Sequence, residues 1–175
     1  MTPRLPARAR VARVSSASPK VLTALAVAVL LVAALVGFTQ GRGYFTERDR
    51  DQSGAAALAA GRQLAVNFIT MDYRRFDDYG RQVLAGAGGT FRSDYQSKLT
   101  DLRKVVVDNK TVSSVKTAEA ALVSSDADSA RVIVGVVAPT ANAATPQAVD
   151  KTYRLRLDLE RSGDSWKVIN LDFVG

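Results

Sequence analysis

Three kinds of hydrophobic spacing succeed one another along the chain: an unbroken apolar run, a repeat of three to four residues, then strict alternation. The unbroken run is VLTALAVAVLLVAALVGFT at residues 21–39, nineteen positions without a charge. As a helix rising about 1.5 Å per residue it spans ~28 Å, close to the ~30 Å hydrocarbon core of a bilayer. Eleven of its positions are Val, Leu or Phe, and no central charge opposes their insertion. The pattern predicts a transmembrane helix over 21–39. A cleavable signal peptide has a shorter apolar region and a small-x-small cleavage site. The end of this run, Val36-Gly37-Phe38-Thr39-Gln40, offers no A-x-A, so a retained anchor is expected. Small residues recur at four-residue spacing at Ala33, Gly37 and Gly41, the candidate face for close packing against another membrane helix.

Helical spacing comes next. Residues Phe45 to Met71 read as an Ala-rich helix with Leu58, Ala65, Phe68 and Met71 near one face, and with Gly54 and Gly61 as points of weakness or bending. A shorter helix is expected over Arg75 to Leu84, stopped by Gly86-Ala87-Gly88-Gly89. Thr90 is the expected cap of a third helix running to about Asp108, with Phe91, Tyr95, Leu99, Leu102 and Val106 recurring every three or four residues.

After Asn109 the period becomes two. Four strands are predicted near Val112–Ser124, Ala130–Pro139, Val149–Glu160 and Trp166–Val174. In the third, Val149, Lys151, Tyr153, Leu155, Leu157 and Leu159 face one way, and Asp150, Thr152, Arg154, Arg156, Asp158 and Glu160 the other. Short turn segments between consecutive strands imply an antiparallel sheet, and strands this long twist and curl. The expected fold is α+β: about three helices packed into a curved four-stranded antiparallel sheet, a cone or roll.

Charge changes the picture in one respect. The chain carries 24 Lys and Arg against 17 Asp and Glu, a formal +7. Arg4, Arg8, Arg10, Arg13 and Lys20 all precede the apolar run, with no acid among them. The chain beyond the run is nearly neutral. A nucleic-acid partner would need a basic stripe with stacking aromatics on the folded part, so none is expected. The basic bias instead orients the span, with the tail in the cytoplasm and the body outside the cell membrane. The five cations are candidate contacts to the anionic inner leaflet. The expected organisation is a basic disordered cytoplasmic tail (1–20), the span (21–39), a juxtamembrane helical stalk (40–60) and an extracytoplasmic α+β domain (61–175).

The chain has no Cys and no His, which removes disulfides, thiolate nucleophiles, His-based triads and His metal sites. Ser113-Ser114-Val115-Lys116 fits S-x-x-K, but it opens a strand and stands alone. Asp126/Asp128 and Asp77/Asp78 lack the further acids and loop glycine of a calcium site and read as solvated turns. Asp72, Asp94, Tyr73, Tyr79 and Tyr95 supply the residue types of a carboxylate-and-phenol isomerase, yet no spacing shows that they converge. Asn109-Lys110-Thr111 is a glycosylation sequon by pattern only. Phe91, Tyr95, Tyr153 and Trp166 are the candidate apolar lining of the cone, at spacings that equally suit plain core. No catalytic set, metal or cofactor is expected.

Several stretches carry a family resemblance. They are Met71-Asp72-Tyr73, the run Gly88-Gly89-Thr90-Phe91-Arg92-Ser93-Asp94-Tyr95, and Val112 through Ala121. Two more are Tyr153-Arg154-Leu155-Arg156-Leu157 and Ser165-Trp166-Lys167-Val168-Ile169-Asn170-Leu171. With the basic tail and single span before them, they make the chain resemble the actinobacterial Mce-associated membrane proteins, accessory subunits of mammalian-cell-entry lipid transport systems. The resemblance implies a nuclear-transport-factor-2-like or cystatin-like cone. It also implies a non-catalytic accessory or scaffold role through protein–protein contact, in a homo- or hetero-oligomer with the substrate-binding subunits or permease of an Mce-type transporter. A scaffold subunit of a secretion or conjugation channel shares the same plan and is the alternative. A small-lipid-binding or isomerase-like cone is a third, and it requires a deep apolar cavity.

Overall fold

The computed structural model describes residues 52–175. The expected tail, the span, Ala33, Gly37, Gly41 and the five leading cations lie outside the described residues. No helix among those described is long and apolar enough to cross a membrane.

Helix α1 occupies residues 52–69 and lies on the sheet. Ala57, Leu64 and Ala65 on its inner face are fully buried. Its two glycines act by size. A Cβ on Gly61 would sit 3.3 Å from Val132 Cβ, and one on Gly54 would sit 3.0 Å from Leu122 Cδ2. They bring the helix axis against the strands instead of weakening it, because the tertiary contact outweighs a propensity cost of about 1 kcal/mol. The helix runs unbroken through position 60, so residues 52–60 belong to the packed domain and the expected stalk boundary falls inside α1.

The helical pattern does not extend to Met71. Strand β1 (Met71–Asp72) pairs with the later strand β2 (Val112–Ser113). The Asp72 carboxylate then accepts the Arg74 amide at 2.9 Å, capping a 3-10 turn over Tyr73–Arg75. Helix α2 (Phe76–Gly86) follows, then α3 (Gly89–Asp108). Thr90 does not cap α3: the N-cap is Gly88, without a side-chain hydrogen bond, and the Thr90 hydroxyl donates instead to the Ile169 carbonyl. At the far end of α3, Lys110 takes φ +50°, while the Lys110 and Thr111 amides donate to Val107 and Val106. This is a Schellman closure with lysine where glycine is usual.

The sheet is built on β3 (Thr117–Ser125), β4 (Ser129–Ala141), β5 (Val149–Ser162) and β6 (Ser165–Phe173), all antiparallel to their neighbours. The expected first strand is broken. β2 and β3 share one side of β4, separated at Ser114–Lys116, while the Ser114 and Lys116 amides still donate to Pro139 and Val137. Register shifts between Leu122 and Ser124, and opposite Asp158/Leu159, add twist and curl the sheet. The β5–β6 turn has Gly163 at φ +59°, a conformation that a two-residue hairpin loop draws from glycine.

Alternation sorts the faces. Val132, Val134, Val136, Leu155, Leu157, Leu159 and Val168 are all at most 1% exposed on the inner face. The inner row of β5 outruns this core: Tyr153 is half-buried, and Val149 and Lys151 are exposed. A second cluster, Phe76, Tyr79, Val83, Tyr95 and Val106, joins α2 to α3. The outer face is laced with ion pairs, Arg131–Asp158 at 2.6 Å and Arg156–Asp172 at 2.7 Å. The Arg131 hydrogen bond holds the Asp158 carboxyl below its ordinary pKa.

Candidate functional site

An apolar groove of about 400 Å³ lies between α3 and β6. Phe91, Tyr95 and Leu102 form the helical wall, and Ile169, Leu171 and Phe173 form the strand wall. Phe68, from the end of α1, is its floor and hub. Its ring lies 6.4 Å from Phe91, 6.0 Å from Tyr95 and 6.2 Å from Phe173, all tilted contacts. Such aromatic pairs contribute about 0.5–1.5 kcal/mol each beyond area burial. Thr90, Asp94, Lys98 and Asn170 make the polar rim. Phe173 is 59% exposed, so the groove opens to solvent and is not a sealed cavity.

Of the four predicted lining residues, Phe91 and Tyr95 line this groove. Tyr153 stands behind Phe173, 6.1 Å from its ring. Trp166 does not take part: it is buried in the main core beside Val168. Sequence reasoning missed Phe68 and Phe173. Phe68 lay in view on the apolar face of α1, and Phe173 continued the inner row of β6 after Leu171. What was not visible is that the two chain segments meet.

The carboxylate-and-phenol set is dispersed. Asp72 caps the 3-10 turn, Tyr73 follows it, and Asp94 is exposed at the groove rim. Tyr79 and Tyr95 pack edge-on at 6.5 Å between α2 and α3. The Tyr79 hydroxyl donates to the Phe68 carbonyl at 3.3 Å, and burial pushes its pKa far above the phenol range. The Tyr95 hydroxyl is buried without a hydrogen-bond partner among the described residues, and burial raises its pKa as well. Both phenols are held neutral, as groups that bridge helices.

The remaining motifs are occupied locally. Ser113 accepts a hydrogen bond from Thr140 at 3.2 Å in a buried pair, while Lys116 pairs with Asp150. Asp77 pairs with Arg103, and Asp78 with Arg75 and Arg81. Asp126 accepts from Ser129 within the β3–β4 turn. Among the described residues no group of three or more acids could hold a metal ion.

The backbone beside the groove is the site's other chemistry. β6 is an edge strand, and its first half is closed by the chain itself. The Gly88 amide donates to the Val168 carbonyl at 2.8 Å, and Thr90 covers the Ile169 carbonyl. Beyond the bulge, the Val174 amide donates to Arg154 at 2.9 Å. Alternation along the β5–β6 register then turns the N–H and C=O of Leu171 and Phe173 away from β5. No group among the described residues meets them.

Three solved structures are similar in fold. The periplasmic domain of DotI aligns with a TM-score of 0.54 at 12% identity, over 69% of this chain and 94% of that one. An IcmL-like type IV secretion system protein from Legionella pneumophila aligns at 0.51 and 15% identity, covering 69% and 91%. CagV, a VirB8 homolog from Helicobacter pylori, aligns at 0.51 and 8% identity, covering 69% and 97%. The fold is therefore the NTF2-like α+β cone, a curled antiparallel sheet with three helices. In sequence, the chain is 30% identical over 156 residues to the uncharacterized protein Rv1363c of Mycobacterium tuberculosis. That alignment takes in 86% of this chain, which spans 59% of the length of that relative. A family match runs over residues 20–175, and the chain accordingly belongs to the Rv1363c/MT1408-like family of uncharacterized proteins.

Proposed function

We propose that this protein is a non-catalytic accessory subunit of a cell-envelope complex. In this reading it is held by a single N-in membrane span and acts through protein–protein contact in an Mce-type lipid transport system. The observation that carries the contact role is the filled cone. The centre of the sheet's inner face is closed by side chains at most 1% exposed, and the apolar concavity beside it is an open surface groove. A surface of that kind suits a protein segment better than a reaction that must exclude water. The Mce assignment rests on the sequence resemblance.

The second reading, a scaffold of a secretion channel, is favoured by the fold alone: similar structures include a type IV secretion protein and a VirB8 homolog. Affinity purification of the full chain from its native membranes separates the two. Recovery of Mce-type substrate-binding subunits or their permease is expected. Recovery of a transfer ATPase and channel subunits would replace the first reading with the second.

A further inference from the structure

We propose that the open half of β6 is a strand-addition site, where a partner's extended segment pairs with Leu171–Phe173 and sends alternate apolar side chains into the aromatic groove. This rests on the protein-contact reading above and gives it a location. Two features coincide there. Main-chain donors and acceptors of Leu171 and Phe173 point outward, unmet by any described residue, and a concavity of about 400 Å³ lies directly beside them. An acyl chain could fill the concavity but offers nothing to those N–H and C=O groups. An extended peptide satisfies both, since the backbone gives affinity and the pocket gives specificity.

Charge and chain geometry select the occupant. On the outer face an added strand sets one residue beside Asp172, whose carboxylate already accepts Arg156 at 2.7 Å and Asn170 at 3.0 Å. The residue there is therefore basic or hydroxyl-bearing, flanked by apolar residues that enter the groove. A second copy of this strand fits poorly. Pairing Leu171 with Phe173 of the copy sets Asp172 against Asp172, and pairing Leu171 with Leu171 drives the copy into the Gly88–Thr90 loop. Were residues 1–51 the occupant, the chain purified alone would already be protected over 170–174.

The test compares amide hydrogen exchange in the full chain purified alone in detergent and in the complex recovered from native membranes. At least about tenfold slower exchange is expected over 170–174 and along the Phe91–Leu102 wall in the complex. Phe173→Pro removes an outward N–H that β5 does not use, whereas Phe173→Val keeps it. Partner recovery should fall about tenfold for the proline variant and by less than about threefold for valine. A recovered complex with unchanged exchange at 170–174 overturns strand addition while leaving the accessory role standing. Protection already present in the chain alone, with a doubled mass or a bound lipid, also overturns it. Failure to recover any partner removes the accessory reading and this proposal together.

Discussion

The amide of Gly88 donates to the carbonyl of Val168 at 2.8 Å, and a Cβ on Gly88 would lie 2.8 Å from the Cβ of the neighbouring Lys167. The α2–α3 connection is thus pressed against β6 at a position with no room for a side chain. Gly88→Ala must move backbone, because the obstructing atom is the root of a side chain and not its flexible end. A loss of about 1–3 kcal/mol is expected, read as a lowered urea midpoint with an unchanged m-value.

Lys110 holds a left-handed conformation that costs a residue with a Cβ roughly 1–2 kcal/mol. Lys110→Gly removes that strain and gives back about 0.5–1 kcal/mol through unfolded-chain entropy. A net gain of about 0.5–1 kcal/mol results, visible as a raised thermal midpoint. A midpoint unchanged or lowered would show that Lys110 makes a compensating contact.

Tyr79 predicts an alkaline limit. Its pKa is raised in the folded protein by burial, so the fold disfavours the phenolate. Its contribution is fully present below the unfolded phenol pKa of about 10 and declines as pH rises above it. The thermal midpoint should hold steady to about pH 10 and fall beyond. Tyr79→Phe should flatten that fall.

Asp158 predicts the acid side. Its pKa is depressed, first by the Arg131 hydrogen bond, so its contribution is present above the unfolded carboxyl value and lost as pH falls through the folded one. Asp158→Asn should make the stability curve shallower below about pH 4. The effect should shrink in high salt, as expected for a pair half open to solvent.

The strands were legible wherever one face is buried along the whole element. On β4, Val132, Val134 and Val136 alternate with exposed or half-buried positions, and period two is then unambiguous. The interruption at Ser114–Lys116 was not legible, because it depends on β1 arriving from elsewhere to pair with β2. Gly54 and Gly61 were read for propensity, but their use is set by the strand beneath them. Thr90 fits a cap by residue type, yet the approach of β6 gives its hydroxyl another acceptor. In the groove, Phe91 and Tyr95 followed from helical spacing. Phe68 and Phe173 needed the sheet to curl before they could meet.

The two borders of the sheet differ in kind. On the β3 side, Arg62 from α1 donates to the Ala118 carbonyl at 2.9 Å, and the irregularity at Val123 bends the strand away. The β6 side is sealed over one half only. A strand received there becomes the new rim, so further growth is decided by the free edge of the partner and not by this chain.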